Sequence, residues 1–401
     1  MKSRVPLSNL AAPLLLVPLA LAPFSAQSGT PASGLPGVGE LGGTSTDLAP
    51  ADMQKWLRGR AIFDHHFHKS DGLGGDGLHN GSGGGSEFNA DSCRACHGKP
   101  ILGGAGGLEL NVSRFARDNF PLGPYADLPG GQAVSKLRPP YVDGREEYPS
   151  TADVFEQRQT PSLFGLGLLD SVLDSEILAQ ETLQNADEPG GDGIRGVARR
   201  VTINGTVEIG RFGWKSQIPR LRDFVRDAMG GELGVTTPDD LRGFAMVSDS
   251  DAVADPEIDE TGIDEVFFFM ANLAAPQRGG SLDPQVTAGE LLFSSIGCAT
   301  CHVPELQGTD GPVRAFTDLL VHKVMPGNYR GMEEPGAAAG RFRTPPLWGI
   351  RHSAPYMHDG RAEDLTQAIQ AHFSEGNAAR LAFQALPQID QDALLAFLED
   401  L

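Results

Sequence analysis

The chain has 401 residues, with 52 acidic against 32 basic side chains and a formal net charge of −20. That balance excludes nucleic acid and anionic membrane surfaces as natural partners and favours a basic one. Its 51 glycines and 29 prolines, beside only 7% aromatic residues, predict a loop-rich fold whose core is completed by something other than side chains.

In chain order, Lys2 and Arg4 precede the apolar run "LAAPLLLVPLALAPF", and Ala26-Gln27-Ser28 follows it. This is the pattern of a signal peptide over residues 1–28, and it predicts a periplasmic protein. Pro13, Pro18 and Pro23 break the run, which is too short for a permanent span. No cysteine follows it to take a lipid, so no stable membrane anchor is expected. Residues 29–49 are expected to form a flexible linker.

The first expected domain covers residues 50–255. A helix through "RGRAIF" (58–63) leads into a glycine-rich insertion over 64–92 that holds His65, His66, His68 and His79. Its composition predicts a solvated loop, with one of these histidines as a candidate ligand or acid/base. "SCRACHG" then places Cys93, Cys96 and His97 in the C-x-x-C-H spacing of covalent haem c attachment. Two thiols form thioethers with the two vinyl groups, and the next residue turns an imidazole onto the iron. "TPSLFGLG" (160–167) follows, and then "NADEPGGDGIRG", whose Asp187, Glu188 and Asp192 read as an acidic turn or a Ca²⁺ site.

The second expected domain covers residues 256–401. Thr287 and Glu290 read as a capping box opening a helix through "AGELLF". "GCATCHVP" repeats the haem pattern with Cys298, Cys301 and His302. The two motifs use all four cysteines, so neither a disulfide nor a free thiol remains once both haems are attached. A zinc site would want further clustered ligands, and a thioredoxin-like pair would want a βαβ setting. "TPPLWGIR" (344–351) and "APYMHDGRAEDLTQAIQAHF" (354–373) follow. Asp364 is the expected N-cap, with Gln367 closing the box and Gly376 as the stop. Leu365, Ala368, Ile369 and His372 share one helical face, so His372 is either a hydrogen-bonded core histidine or a ligand. His322, Met325, Met332 and Met357 are the alternative ligands. His358 reads as structural or as a neighbour of a haem propionate. Leu394, Phe397, Leu398 and Leu401 form the apolar face of a closing helix.

The order helix, haem motif, T-P-x-L segment and second helix occurs twice, which predicts an internal duplication. Trp214 and Leu221 match His358 and Leu365, each pair seven residues apart. Fourteen residues after His358 stands His372, but fourteen after Trp214 stands Ala228, which cannot ligate iron. The second haem is therefore expected to be capped on both faces and the first to keep one face open for chemistry.

From about residue 50 onward the chain resembles the bacterial di-haem oxidoreductase family of predicted peroxidases, also described as thiol oxidoreductases with two C-x-x-C motifs. The stretches that carry the resemblance include "FNADSCRACHG", "GGAGGLELNVSRF", "RQTPSLFGLGLLDSV", "GRFGWKSQIPRL" and "FRTPPLWGIRHSAPYMHDGRAEDLTQAI". More distantly it is similar to di-haem cytochrome c peroxidases and to MauG. The resemblance implies a mainly α fold of two cytochrome c-like haem domains with long loops. It implies His372 as the distal ligand of the haem on His302, where relatives carry Met or Tyr. Two imidazoles predict a lower potential than a His/Met pair. Trp214 is implied as an electron relay between the haems and Glu232, in "GGELGVT", as the acid/base of a peroxide pocket. The glutamine that accompanies that glutamate in relatives is not evident here. Relatives also hold Ca²⁺ between the haem domains. The expected partners are hydrogen peroxide and an external donor such as a small cytochrome or cupredoxin. The rival readings are a di-haem electron carrier with no substrate, and a MauG-like enzyme that oxidises a partner protein.

Overall fold

Most of the regular structure is helical, with small sheets between the helices. The computed structural model describes residues 34–67, 89–119, 125–126, 134–137, 150–186, 193–249, 253–280 and 282–401, and the elements below all belong to the unit Pro36–Leu401. In chain order the α-helices are α1 (Pro50–Asp64), α2 (Cys93–Cys96), α3 (Leu166–Ser171), α4 (Asp174–Asn185) and α5 (Leu221–Ala228). They continue as α6 (Glu260–Ala271), α7 (Pro284–Ser295), α8 (Leu365–Gln370), α9 (Asn377–Ala385) and α10 (Gln388–Asp400). A four-stranded antiparallel sheet lies between α2 and α3, in which Val112–Asp118 pairs with Tyr125–Ala126, Val134–Leu137 and Val154–Arg158. Three two-stranded ribbons complete the strands among the described residues.

Two helix crossings of one design organise the core. α1 packs on α6, and α7 packs on α10. In the first, Phe63 meets Phe269 with ring centres 5.1 Å apart; in the second, Phe293 meets Phe397 at 5.3 Å. All four rings are buried, each worth roughly 1.5–3 kcal/mol of hydrophobic stabilisation. Each crossing is close because a glycine stands at the contact. A side chain on Gly59 would strike the carbonyl of Glu265, and one on Gly289 the carbonyl of Ala393. Gly289→Val is therefore expected to destabilise the protein by about 1–3 kcal/mol through overpacking, seen as a lower unfolding temperature. An unchanged one would mean the crossing opens freely.

Several expectations are corrected at this level. The helix Glu260–Ala271, assigned from sequence to the second domain at 256–401, packs on α1, so the first crossing reaches past the expected boundary. α7 is capped four residues before the expected capping box: Asp283 accepts from Gln285 N at 2.8 Å and Pro284 opens the first turn. Thr287 sits inside the helix, and Glu290 pairs with Arg278 instead. The cap of α8 is as expected, with Asp364 Oδ1 accepting from Gln367 N at 2.7 Å. The helix ends at Gln370, however, so His372 lies just beyond it, where Phe373 N turns to bond Val324 O. Within residues 29–49, expected to be a flexible linker, Gly42, Gly43 and Thr44 are buried and Thr44 bridges to Leu273. No helix among the described residues is long and apolar enough to cross a membrane.

Candidate functional site

Between the crossings lies a cavity of about 1840 Å³, lined by both C-x-x-C-H motifs and by Trp214, Ala228, Glu232, His358 and His372. Ordinary small-ligand pockets hold roughly 300–1,000 Å³. The volume suits a large prosthetic group or more than one.

Three lining histidines share one hydrogen-bonding pattern. His97 Nδ1 lies 3.2 Å from Gly104 O and 3.1 Å from Pro161 O. His302 Nδ1 lies 3.1 Å from Phe316 O, and His372 Nδ1 2.7 Å from Ala368 O. A carbonyl only accepts, so each Nδ1 carries the proton and each Nε2 keeps its lone pair. Enclosure by protein pushes His97 and His302 down to about 4 and lowers His372 too, which keeps the imidazoles neutral, the form that binds metal. His97 is packed by Phe63 at 6.3 Å between ring centres, and His302 by Phe293 at the same 6.3 Å.

His302 and His372 face each other with ring centres 6.4 Å apart. Two imidazoles bound to one metal at about 2 Å from opposite sides leave their ring centres roughly 6 Å apart. This donor pair therefore fits a six-coordinate iron. None of the four cysteines is in a disulfide, and burial pushes the Cys93 and Cys298 thiols up to about 12. They are not poised as nucleophilic thiolates.

The two halves meet through a reciprocal exchange. Gln159, just before Thr160-Pro161, donates its N–H to His358 O at 2.7 Å; Arg343, just before Thr344-Pro345, donates its own to Trp214 O at 2.7 Å. Trp214 and His358 are thus set opposite each other, ring centres 6.4 Å apart and edge-on. Trp214 Nε1 donates to Gln159 O at 2.8 Å, two residues from the Pro161 carbonyl that anchors His97. His358 is buried, stacked on Phe342 at 3.6 Å, with Nε2 3.0 Å from Tyr329 Oη.

The surroundings of His97 differ from those of His302. Ala228 ends α5, and a turn of π-helix, Met229–Leu233, follows. Such turns recur at functional sites. It brings Glu232 to the cavity, close enough to His97 for its charge to act on that imidazole. Asn89 Nδ2 donates to Glu232 Oε2 at 2.7 Å, and the N–H groups of Asn89 and Ala90 donate to Glu232 O. The segment that leads into the first haem motif is thereby tied to the Glu232 turn. Sequence reading missed Asn89, although its place four residues before Cys93 was a usable signal.

The other candidates fall elsewhere. His322 lies between two carboxylates, Asp318 Oδ2 at 2.8 Å and Glu375 Oε2 at 2.9 Å. Asp318 beside it holds it well above the usual imidazole range despite burial, so it keeps no lone pair for iron. Met325 and Met332 are buried away from the cavity, whereas Met357 lines it. His66 pairs with Asp91 at 2.9 Å; neither it nor His65 lines the cavity. His68, His79, Asp187, Glu188 and Asp192 lie outside the described residues. Sequence reading also missed a buried charged group at the junction, built on Arg114, Arg158, Glu156, Glu334 and Lys215.

A family model described as "Di-haem oxidoreductase, putative peroxidase" matches residues 151–401. Methylamine utilization protein MauG of Methylorubrum extorquens is 33% identical over 124 residues, 28% of this chain and 32% of that protein. Cytochrome-c peroxidase IdrP2 of Denitromonas iodatirespirans is 31% identical over 153 residues, 31% of this chain and 41% of that protein. The matched segments span less than half the length of these curated relatives. Among solved structures, Kuenenia stuttgartiensis hydrazine synthase aligns over 96% of this chain and 100% of its own, at 14% identity and a TM-score of 0.40. A MauG-like protein associated with microbial copper homeostasis aligns over 35% of this chain and 56% of its own, at 19% identity and a TM-score of 0.27.

Proposed function

The chain belongs to the di-haem oxidoreductase family, and on that premise we propose that it is a periplasmic di-haem c-type oxidoreductase that reduces hydrogen peroxide. The names of its relatives support oxidoreductase chemistry at low identity. Two cytochrome c-like domains related by duplication are supported by the repeated crossings, the paired phenylalanine–histidine contacts and the reciprocal exchange at the junction.

One observation carries the reading. His302 has a second imidazole, His372, at metal-bridging distance, whereas the matching position toward His97 is Ala228 with Glu232 beyond it. Cys93, Cys96 and His97 would hold one haem; Cys298, Cys301, His302 and His372 would hold the other. Bound there, the haems would supply an electron reservoir on the His302 side and an open, peroxide-binding face on the His97 side. Glu232 takes a proton from one peroxide oxygen and returns it to the other, which assists O–O cleavage. Asn89 orients its carboxylate. Trp214, at the junction and opposite His358, is the bridge for electrons between the two halves. The donor is an external redox protein of basic surface, complementary to the acidic chain.

The test is spectroscopic. Optical and EPR spectra of the oxidised and half-reduced protein are expected to show one high-spin and one low-spin haem, and peroxide should perturb the high-spin one. Two low-spin haems in every redox state would overturn the enzyme reading in favour of a pure electron carrier. His372→Ala is expected to convert the second haem to high spin, and an unchanged spectrum would remove His372 as its ligand.

A further inference from the structure

This chain is strongly acidic, yet it concentrates cations at the junction of its two halves. Around the two carboxylates of Glu156 and Glu334 stand four cations, Arg114, Arg158, Arg199 and Lys215. Lys215 is fully buried; its ammonium donates to two backbone carbonyls, Ala338 O at 3.1 Å and Arg341 O at 2.9 Å, and lies over the Phe342 ring at 4.4 Å. Arg158 and Arg199 each keep a buried Nε with no hydrogen-bond partner among the described residues.

Arg343 stands apart from those carboxylates altogether. It is 8% exposed and lines the cavity. Its side chain donates to Gly213 O at 3.2 Å and more distantly to Thr344 O at 3.5 Å, and no carboxylate pairs with it among the described residues. Burial alone lowers it to about 10. A guanidinium removed from water without a counter-ion is costly, and proteins retain one where an anion arrives to meet it. Its backbone is fixed as firmly as its charge is left open: Arg343 N donates to Trp214 O at 2.7 Å, in the cavity that both motifs line. The matching position of the first half is Gln159, which carries no charge, so the cation belongs to one side only.

We infer that Arg343 is a carboxylate-binding residue of the cavity and that its partner is a propionate of one of the two haems, presented to the cationic face of the junction. The inference rests on the di-haem reading above. A guanidinium paired with a propionate stabilises the reduced, less positive iron relative to the oxidised one, so Arg343 also raises the potential of the haem it holds.

The test uses the holoprotein and redox titration followed by absorbance. Arg343→Gln is expected to shift one of the two haem couples to lower potential while two haems per chain are retained. Arg343→Lys, which keeps the charge, is expected to stay close to the parent. Two haems with both couples unmoved in Arg343→Gln would overturn this inference alone. Fewer than two haems in the parent protein would bring down the di-haem reading, and this inference with it. A free anion is the other source of a carboxylate, so the parent protein is also titrated with sodium formate. No saturable spectral change is expected. A saturable change that disappears in Arg343→Gln would overturn the propionate assignment in favour of a soluble anionic ligand.

Discussion

Glu232→Gln is expected to slow peroxide turnover by about 10²–10⁴-fold, the usual contribution of a positioned acid/base, with little change in the haem spectra. The substitution keeps the size of the side chain and leaves an oxygen that can still accept from Asn89 Nδ2, which lies 2.7 Å from Glu232 Oε2. What it removes is the carboxylate that, on the proposed reading, takes a proton from one peroxide oxygen and hands it to the other. The turn that carries it should survive, because it is held by main-chain bonds from Asn89 and Ala90 to Glu232 O. Reduction of the protein by an artificial donor should proceed at the parent rate, since on the proposed reading electrons are stored on the His302 side and Glu232 serves the His97 side. Steady-state peroxide consumption and stopped-flow reduction, measured side by side, separate the two. Parent-like turnover in Glu232→Gln would remove the residue from the chemistry and leave it as part of the turn. Asn89→Ala is expected to show a smaller loss in the same direction, because the carboxylate remains and only its orientation is released.

Whatever depended on short spacing was legible in the sequence. The C-x-x-C-H motifs, the two T-P-x-L segments and the offset of fourteen that sets Ala228 against His372 are all local patterns. All of them line the same cavity. Legibility failed where the deciding contact is remote. Nothing in the sequence of α6 says that it packs on α1, some two hundred residues earlier, and that contact crosses the boundary expected between residues 255 and 256. The helix start at Asp283 was hidden by a stronger-looking capping box at Thr287 and Glu290, because a Pro at the first turn and a cap two residues from its partner also satisfy the orphan amides. His372 was placed on a helix because periodicity continues past the point where Phe373 is drawn away by Val324. The charged junction was invisible for a similar reason. Arg114 and Glu334 belong to segments with no sequence relation and are joined only by the fold.

Ala228→His is expected to convert the first haem from an open to a capped one and to abolish peroxide turnover while leaving electron storage intact. The expectation comes from the offset that distinguishes the halves: Leu221 and Ala228 stand seven apart, as do Leu365 and His372. Ala228 lines the same cavity as His97 and Glu232, at the end of α5, so a longer side chain there takes up part of that space. An imidazole there that reaches the iron gives a second low-spin bis-histidine spectrum. One that falls short still occupies the distal space and excludes peroxide from it. The backbone differs between the two halves, since α8 has ended before His372 while α5 runs to Ala228 and then widens into the π-turn. For that reason loss of peroxide turnover is the firmer readout and the spin state the more informative one. Full peroxide turnover in Ala228→His would show that the chemistry takes place elsewhere than on the His97 side. The asymmetry between the two halves would then have to be read as a difference in electron transfer alone.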